Sequence, residues 1–120
     1  MIRSSTPAQI PYIPVFSHLD GEIVRAVLDL SHVTYLKAGE ILLHQGDLIH
    51  SFYVIQSGGI RLVNYAEDGQ CVALKVYGAG DVFGLLAISG SYPHPTQIES
   101  IHDTSLITID GQDARALMIA

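Results

Sequence analysis

Cysteine is nearly missing: Cys71 is the only one in 120 residues. That excludes a disulfide framework, a four-cysteine iron–sulfur cluster and a cysteine-rich zinc site. The simplest setting for such a chain is a reducing cytoplasm. Basic residues are scarce too. Six Lys and Arg face twelve Asp and Glu, a formal net charge of −6, which argues against this chain gripping nucleic acid by itself. No apolar run approaches the length of a membrane span. The N-terminus carries Arg3 but no apolar stretch, and Pro7, Pro11 and Pro14 interrupt it, so no signal peptide fits. What the chain does have is apolar character, 48% of its residues, enough for one domain with its own core.

Residues 1–15 read as an irregular extended arm, because the prolines deny it a helix. A helix is expected over residues 20–30, where Asp20 can cap and Ile23, Val24, Val27 and Leu28 fall on one face. From Val33 to Asp110 the pattern is strand, turn, strand. Glu40 to His44 is a short strand closed by Gln45-Gly46-Asp47. Phe52 to Gln56 is an apolar run short enough to be a buried strand, and Ser57-Gly58-Gly59 turns it into Ile60 to Ala66. Glu67-Asp68-Gly69-Gln70 is the clearest hairpin signal. Val72, Leu74 and Val76 alternate with Cys71, Ala73 and Lys75, the pattern of a half-buried strand. Strands are also expected at Gln97 to Ile101 and Ser105 to Ile109, before a final helix capped by Asp110. Many short strands with glycine turns imply an all-β sandwich or barrel.

The stretch from Gly80 to Ser100 organises the rest. It begins as a strand end, turns at Gly84 into the apolar run Leu85-Leu86-Ala87-Ile88, passes a turn cluster, and re-enters a strand near Gln97. Gly80-Asp81-Val82-Phe83-Gly84, followed about ten residues later by Pro93-His94-Pro95-Thr96, resembles the phosphate-binding cassette of the cyclic-nucleotide-binding domain. It is most similar to the sensor domain of the Crp/Fnr family of bacterial transcription regulators. Lys37-Ala38-Gly39-Glu40, Gln45-Gly46-Asp47, Phe52-Tyr53-Val54-Ile55, Ser57-Gly58 and Asp68-Gly69-Gln70 support it in the family's order and spacing.

The resemblance implies a mainly β fold, an eight-stranded jelly roll (a double-stranded β-helix) with flanking short helices. It implies an effector domain over residues 16–120, excised from a longer chain with a C-terminal winged helix-turn-helix. It implies a cytoplasmic, non-catalytic sensor of a small molecule, homodimeric in its parent, touching DNA only through the missing part and no membrane. The ligand-binding candidates are Leu62, Leu74, Phe83, Gly84, Leu85, Leu86, His94, Pro95 and Thr96.

A cyclic-nucleotide pocket has three polar tasks. Backbone N–H groups hold the phosphate, an arginine neutralises it, and a glutamate accepts the ribose 2′-hydroxyl. Here Leu85 stands in the glutamate's place and His94 in the arginine's, while Pro95 lacks an N–H. Losing the hydroxyl's partner costs about 1–3 kcal/mol, and losing the charged bond about 1.5–3 kcal/mol. cAMP is therefore disfavoured. The pocket becomes more apolar, suited to a flat apolar ligand, a small aromatic acid or a haem with His94 or His102 as iron ligand, or else it collapses around Leu85. Six histidines raise a metal, but without a His-X-His pair none is assigned. The rival class is a small cupin-like metal-dependent enzyme on the same scaffold, which requires clustered histidines plus a glutamate on adjacent strands.

Overall fold

The structure is a computed structural model that describes residues 3–5 and 21–119. Most of the expected arm, and the expected cap Asp20, lie outside the described residues. Arg3–Ser5 form β1, antiparallel to β2 (His32–Leu36). Between them in sequence is helix α1 (Gly21–Asp29). The chain continues through β3 (Ile41–Leu43), β4 (Leu48–Ile49), β5 (Ser51–Ser57), β6 (Gly59–Tyr65), β7 (Cys71–Gly78) and β8 (Val82–Phe83). A 3-10 helix, Leu85–Ser89, follows. Then come β9 (Tyr92–Pro93), β10 (Gln97–Ser100), β11 (Thr104–Asp110) and helix α2 (Gly111–Ile119). The fold is mainly β, built of antiparallel sheets with short flanking helices, the jelly-roll class the resemblance implies.

Strand order in the first sheet is β1-β2-β11-β5-β8, in the second β3-β10-β6-β7, and β4 pairs with β9. The sheets face each other across an interior of Leu36, Tyr53, Ile55 and Leu106 from one side and Ile60 and Ile98 from the other, with Phe83 among them. The opposite face of the first sheet is apolar as well. Phe52, Val54, Ile107 and Ile109 pack there against Val27 and Leu28 of α1 and Ala114 of α2. This is why Phe52 to Ile55 reads as an unbroken apolar run: β5 is buried on both faces, so alternation disappears. Each fully buried Ile or Val side chain contributes about 1.5–3 kcal/mol of transfer free energy. Thr34 and Thr108 share a 2.7 Å hydroxyl hydrogen bond between β2 and β11, which satisfies two buried polar groups.

Asp110 does cap α2, its Oδ1 accepting the Asp113 N–H at 3.0 Å. Gly111 lets that helix start against the cassette. Its N–H donates to the His50 carbonyl at 2.9 Å, and a Cβ there would collide with the Ala87 carbonyl.

Two expectations need correction. Ile23 is exposed, so the buried face of α1 rests on Val24, Val27 and Leu28. And β7 is not half-buried: Cys71 to Val76 are all exposed. Two causes combine. β7 is an edge strand, with no neighbour on one side among the described residues. A bulge also breaks its alternation, because Leu62 pairs with Lys75 while Val63 pairs with Ala73, leaving Leu74 as the extra residue.

Candidate functional site

Phe83 pairs with Tyr53 of β5 and delivers the chain to Gly84. Gly84 sits at φ 82°, and a Cβ on it would stand 2.9 Å from Ile49 Cδ1 and 3.1 Å from the Ser51 carbonyl oxygen. Only glycine turns the strand into the 3-10 helix in that space. The Ala87 N–H donates to the Gly84 carbonyl at 2.9 Å and closes the first turn. Ala87 is buried, whereas Leu85 and Leu86 face out, 47% and 69% exposed.

The far end of the cassette is stitched to the turn that closes β3. β9 pairs with β4, matching Pro93 with Leu48 and Tyr92 with Ile49. The Gly46 N–H donates to the His94 carbonyl and the His94 N–H to the Asp47 carbonyl, both at 2.8 Å. Asp47 Oδ2 accepts the His44 N–H at 3.0 Å and holds that turn. The Gln45-Gly46-Asp47 signature is thus the cassette's anchor.

His94 is buried and folds back on its own segment. Its Nδ1 lies 2.9 Å from the Thr96 carbonyl oxygen, 3.2 Å from Thr96 Oγ1 and 3.3 Å from the Thr96 backbone nitrogen. Thr96 is buried beneath it. Beside Pro95, which has no N–H, the next amide is therefore already turned toward the imidazole.

The sequence-predicted residues divide into groups. Gly84, Leu85, Leu86, His94, Pro95 and Thr96 all belong to one cassette. Phe83 is a core residue, its ring 4.9 Å from that of Tyr53 and 6.1 Å from that of Tyr77, so it supports the cassette from below. Leu62 is half-buried against the inter-sheet core. Leu74, 52% exposed, is the bulge residue of β7. Collapse around Leu85 is not seen, since Leu85 remains exposed.

Sequence reasoning missed Lys75. Its Nζ sits 4.8 Å from the Tyr77 ring centroid. It also missed the opposite face of the same sheet. There Arg61 pairs with Glu99 at 2.5 Å, and the Gln97 amide donates to the other Glu99 oxygen at 2.8 Å. Glu99 raises the Arg61 pKa, and the Cys71 thiol, through a hydrogen bond, raises that of Tyr65. Among the described residues, no three His, Cys, Asp or Glu gather into a group that could hold a metal, and no helix is long and apolar enough to cross a membrane.

The family model of the cyclic nucleotide-binding domain matches residues 33–120. This chain belongs to that family. The cyclic nucleotide-binding-like domain is of the Crp type, as the cassette and its upstream landmarks lead one to expect. The cyclic AMP receptor protein of Thermus thermophilus is 28% identical over 105 residues, covering 88% of this chain and 49% of the receptor. A Rhodopseudomonas palustris protein described as a potassium channel is 26% identical over 112 residues, covering 92% of this chain and 26% of its own length. The domain thus spans a quarter to a half of these longer relatives. In shape it is similar to the N-terminal domain of a transcriptional regulator from Streptomyces coelicolor A3(2), with a TM-score of 0.81 at 24% identity, covering 88% of this chain and 74% of that one.

Proposed function

We propose that this domain, residues 16–120, is the effector-sensing module of a Crp/Fnr-type transcription regulator, and that its cassette has lost cyclic-nucleotide chemistry while keeping its shape. The parent is a cytoplasmic, non-catalytic homodimer that contacts DNA through a part of the chain beyond this domain. Effector binding shifts that dimer between DNA-competent and incompetent states.

One observation carries the reading. The Gly84 turn, the 3-10 helix and the anchor at Gly46 and Asp47 are intact, yet an exposed Leu85 and a buried His94 stand at the two positions where the family has its ligand-binding glutamate and arginine. Leu85 presents a hydrocarbon where the family has a glutamate. The His94 Nδ1 is turned back to within 2.9 Å of the Thr96 carbonyl oxygen, and Pro95 has no N–H. The two side-chain losses together amount to roughly 2.5–6 kcal/mol, two to four decades of affinity if they add. A micromolar ligand would become one with a dissociation constant of roughly 0.1–10 mM.

Calorimetry with cAMP and cGMP tests this. The wild-type domain is expected to give no binding heat at micromolar nucleotide. Leu85→Glu combined with His94→Arg is expected to recover part of the affinity, with Pro95 limiting the gain. Micromolar cAMP binding by the wild type would sink the reading.

A further inference from the structure

The domain has twice as many acidic as basic residues, so a cation without an acidic partner stands out. Arg25 is paired with Asp29, and Arg61 with Glu99 on the outer face of the second sheet. Lys37, Lys75 and Arg115 have no such partner among the described residues, and of these three Lys75 stands on a strand of the second sheet. Its position on the ladder decides which way it faces. Lys75 is directly opposite Leu62, and residues paired across a ladder share a face. Leu62 packs on the inter-sheet core, so Lys75 rises from the concave side of the sheet, opposite to the Arg61–Glu99 pair. Two residues on, on the same side, Tyr77 carries the ammonium over its ring at 4.8 Å. Tyr77 in turn lies 6.1 Å from Phe83, the residue that leads into Gly84. The ammonium is thus linked to the root of the cassette by two aromatic rings.

We propose that Lys75 is the residue that gives this pocket its charge selectivity, and that the effector is a small hydrophobic carboxylate. This rests on the reading of the cassette as an effector site. The carboxylate would meet the Lys75 ammonium in a charge-assisted hydrogen bond. Its apolar body would cover the exposed side chains of Leu74, next to Lys75 on β7, and Leu85, at the start of the 3-10 helix. His94 is buried with its Nδ1 turned to Thr96, whereas Lys75 is exposed. The bulge matters here. Counted from the Asp68-Gly69 turn without it, Leu62 would face Leu74 and the pocket wall would be neutral. The extra residue moves Lys75 into that place.

The probes are 2-naphthoate and its uncharged counterpart 2-naphthamide, titrated by calorimetry into the intact domain. The variants are Lys75→Met, which keeps the stem without the charge, Lys75→Arg, which keeps the charge, and Leu85→Asp. The wild type is expected to bind naphthoate about tenfold more tightly than naphthamide, with an affinity that falls as salt rises. Lys75→Met is expected to remove that preference and Lys75→Arg to keep it. An unchanged preference in Lys75→Met, or no naphthoate binding by the wild type at millimolar concentration, overturns the assignment. Leu85→Asp is expected to weaken naphthoate. If the preference depends on Lys75 while Leu85→Asp leaves it untouched, the anion sits away from the cassette, and it is the effector-site reading that fails.

Discussion

Burial acts on single ionisable groups, and Tyr53 feels it most clearly. Its ring stacks on Phe83 between the sheets, and desolvation pushes its hydroxyl from 10.0 up to about 12. As pH rises, the unfolded chain releases this proton before the folded one does. The stabilisation is complete below pH 10 and is lost as pH rises through about 12. A shift of that size corresponds to about 2–3 kcal/mol. Tyr53→Phe keeps the stacked ring and removes the proton. Urea unfolding at pH 9 and 11.5 should show the wild type losing about 2 kcal/mol more than the variant. Parallel losses would mean that the hydroxyl is solvated. Tyr92, also raised by burial, contributes equally to both proteins and cancels.

Elements were legible in the sequence wherever a local rule forced them. The Asp68-Gly69 turn, the Gly84 turn and the Asp110 cap each depend on one or two residues, and each stands where their chemistry puts it. The two-sided burial of β5 was legible from its unbroken apolar run. The bulge at Leu74 was not, because an extra residue changes register without changing composition. That slip, on a strand already at the edge of its sheet, hid Lys75 from the list of candidates. The folding back of His94 was hidden for a related reason. A histidine two residues before a threonine carries no signal of direction until the anchor at Gly46 and Asp47 fixes the backbone between them. Where α2 meets the cassette, the decisive feature is a missing side chain. Arg115 Nη1 donates to the Ser89 carbonyl at 3.2 Å, and Gly111 allows the approach that makes this possible. Gly111→Ala should therefore cost about 1–3 kcal/mol by overpacking, whereas Val76→Thr, 63% exposed on β7, should stay within about 0.5 kcal/mol. Equal effects in chemical denaturation would refute this account of the two sites.

At the scale of the molecule, two apolar layers are divided by one sheet. Leu106 of β11 belongs to the layer between the sheets, and its neighbours Ile107 and Ile109 to the layer beneath the helices. β5 divides its residues in the same way, Tyr53 and Ile55 on one side and Phe52 and Val54 on the other. Neither layer can lose its packing without disturbing the strands that form the other, so both should unfold together. Leu106→Ala and Ile107→Ala test the two layers from adjacent positions on one strand. Each leaves a cavity at a fully buried site and should cost about 2–5 kcal/mol. In both variants, far-ultraviolet circular dichroism and tyrosine fluorescence should report the same urea midpoint as each other, shifted from the wild type by a comparable amount. The informative failure is a split. If Ile107→Ala separated an early loss of helix signal from a later loss of sheet signal, the helical layer would be an independent unit. The sheet would then hold the cassette without it, and contacts from α2 to the cassette could change while the pocket walls stayed in place.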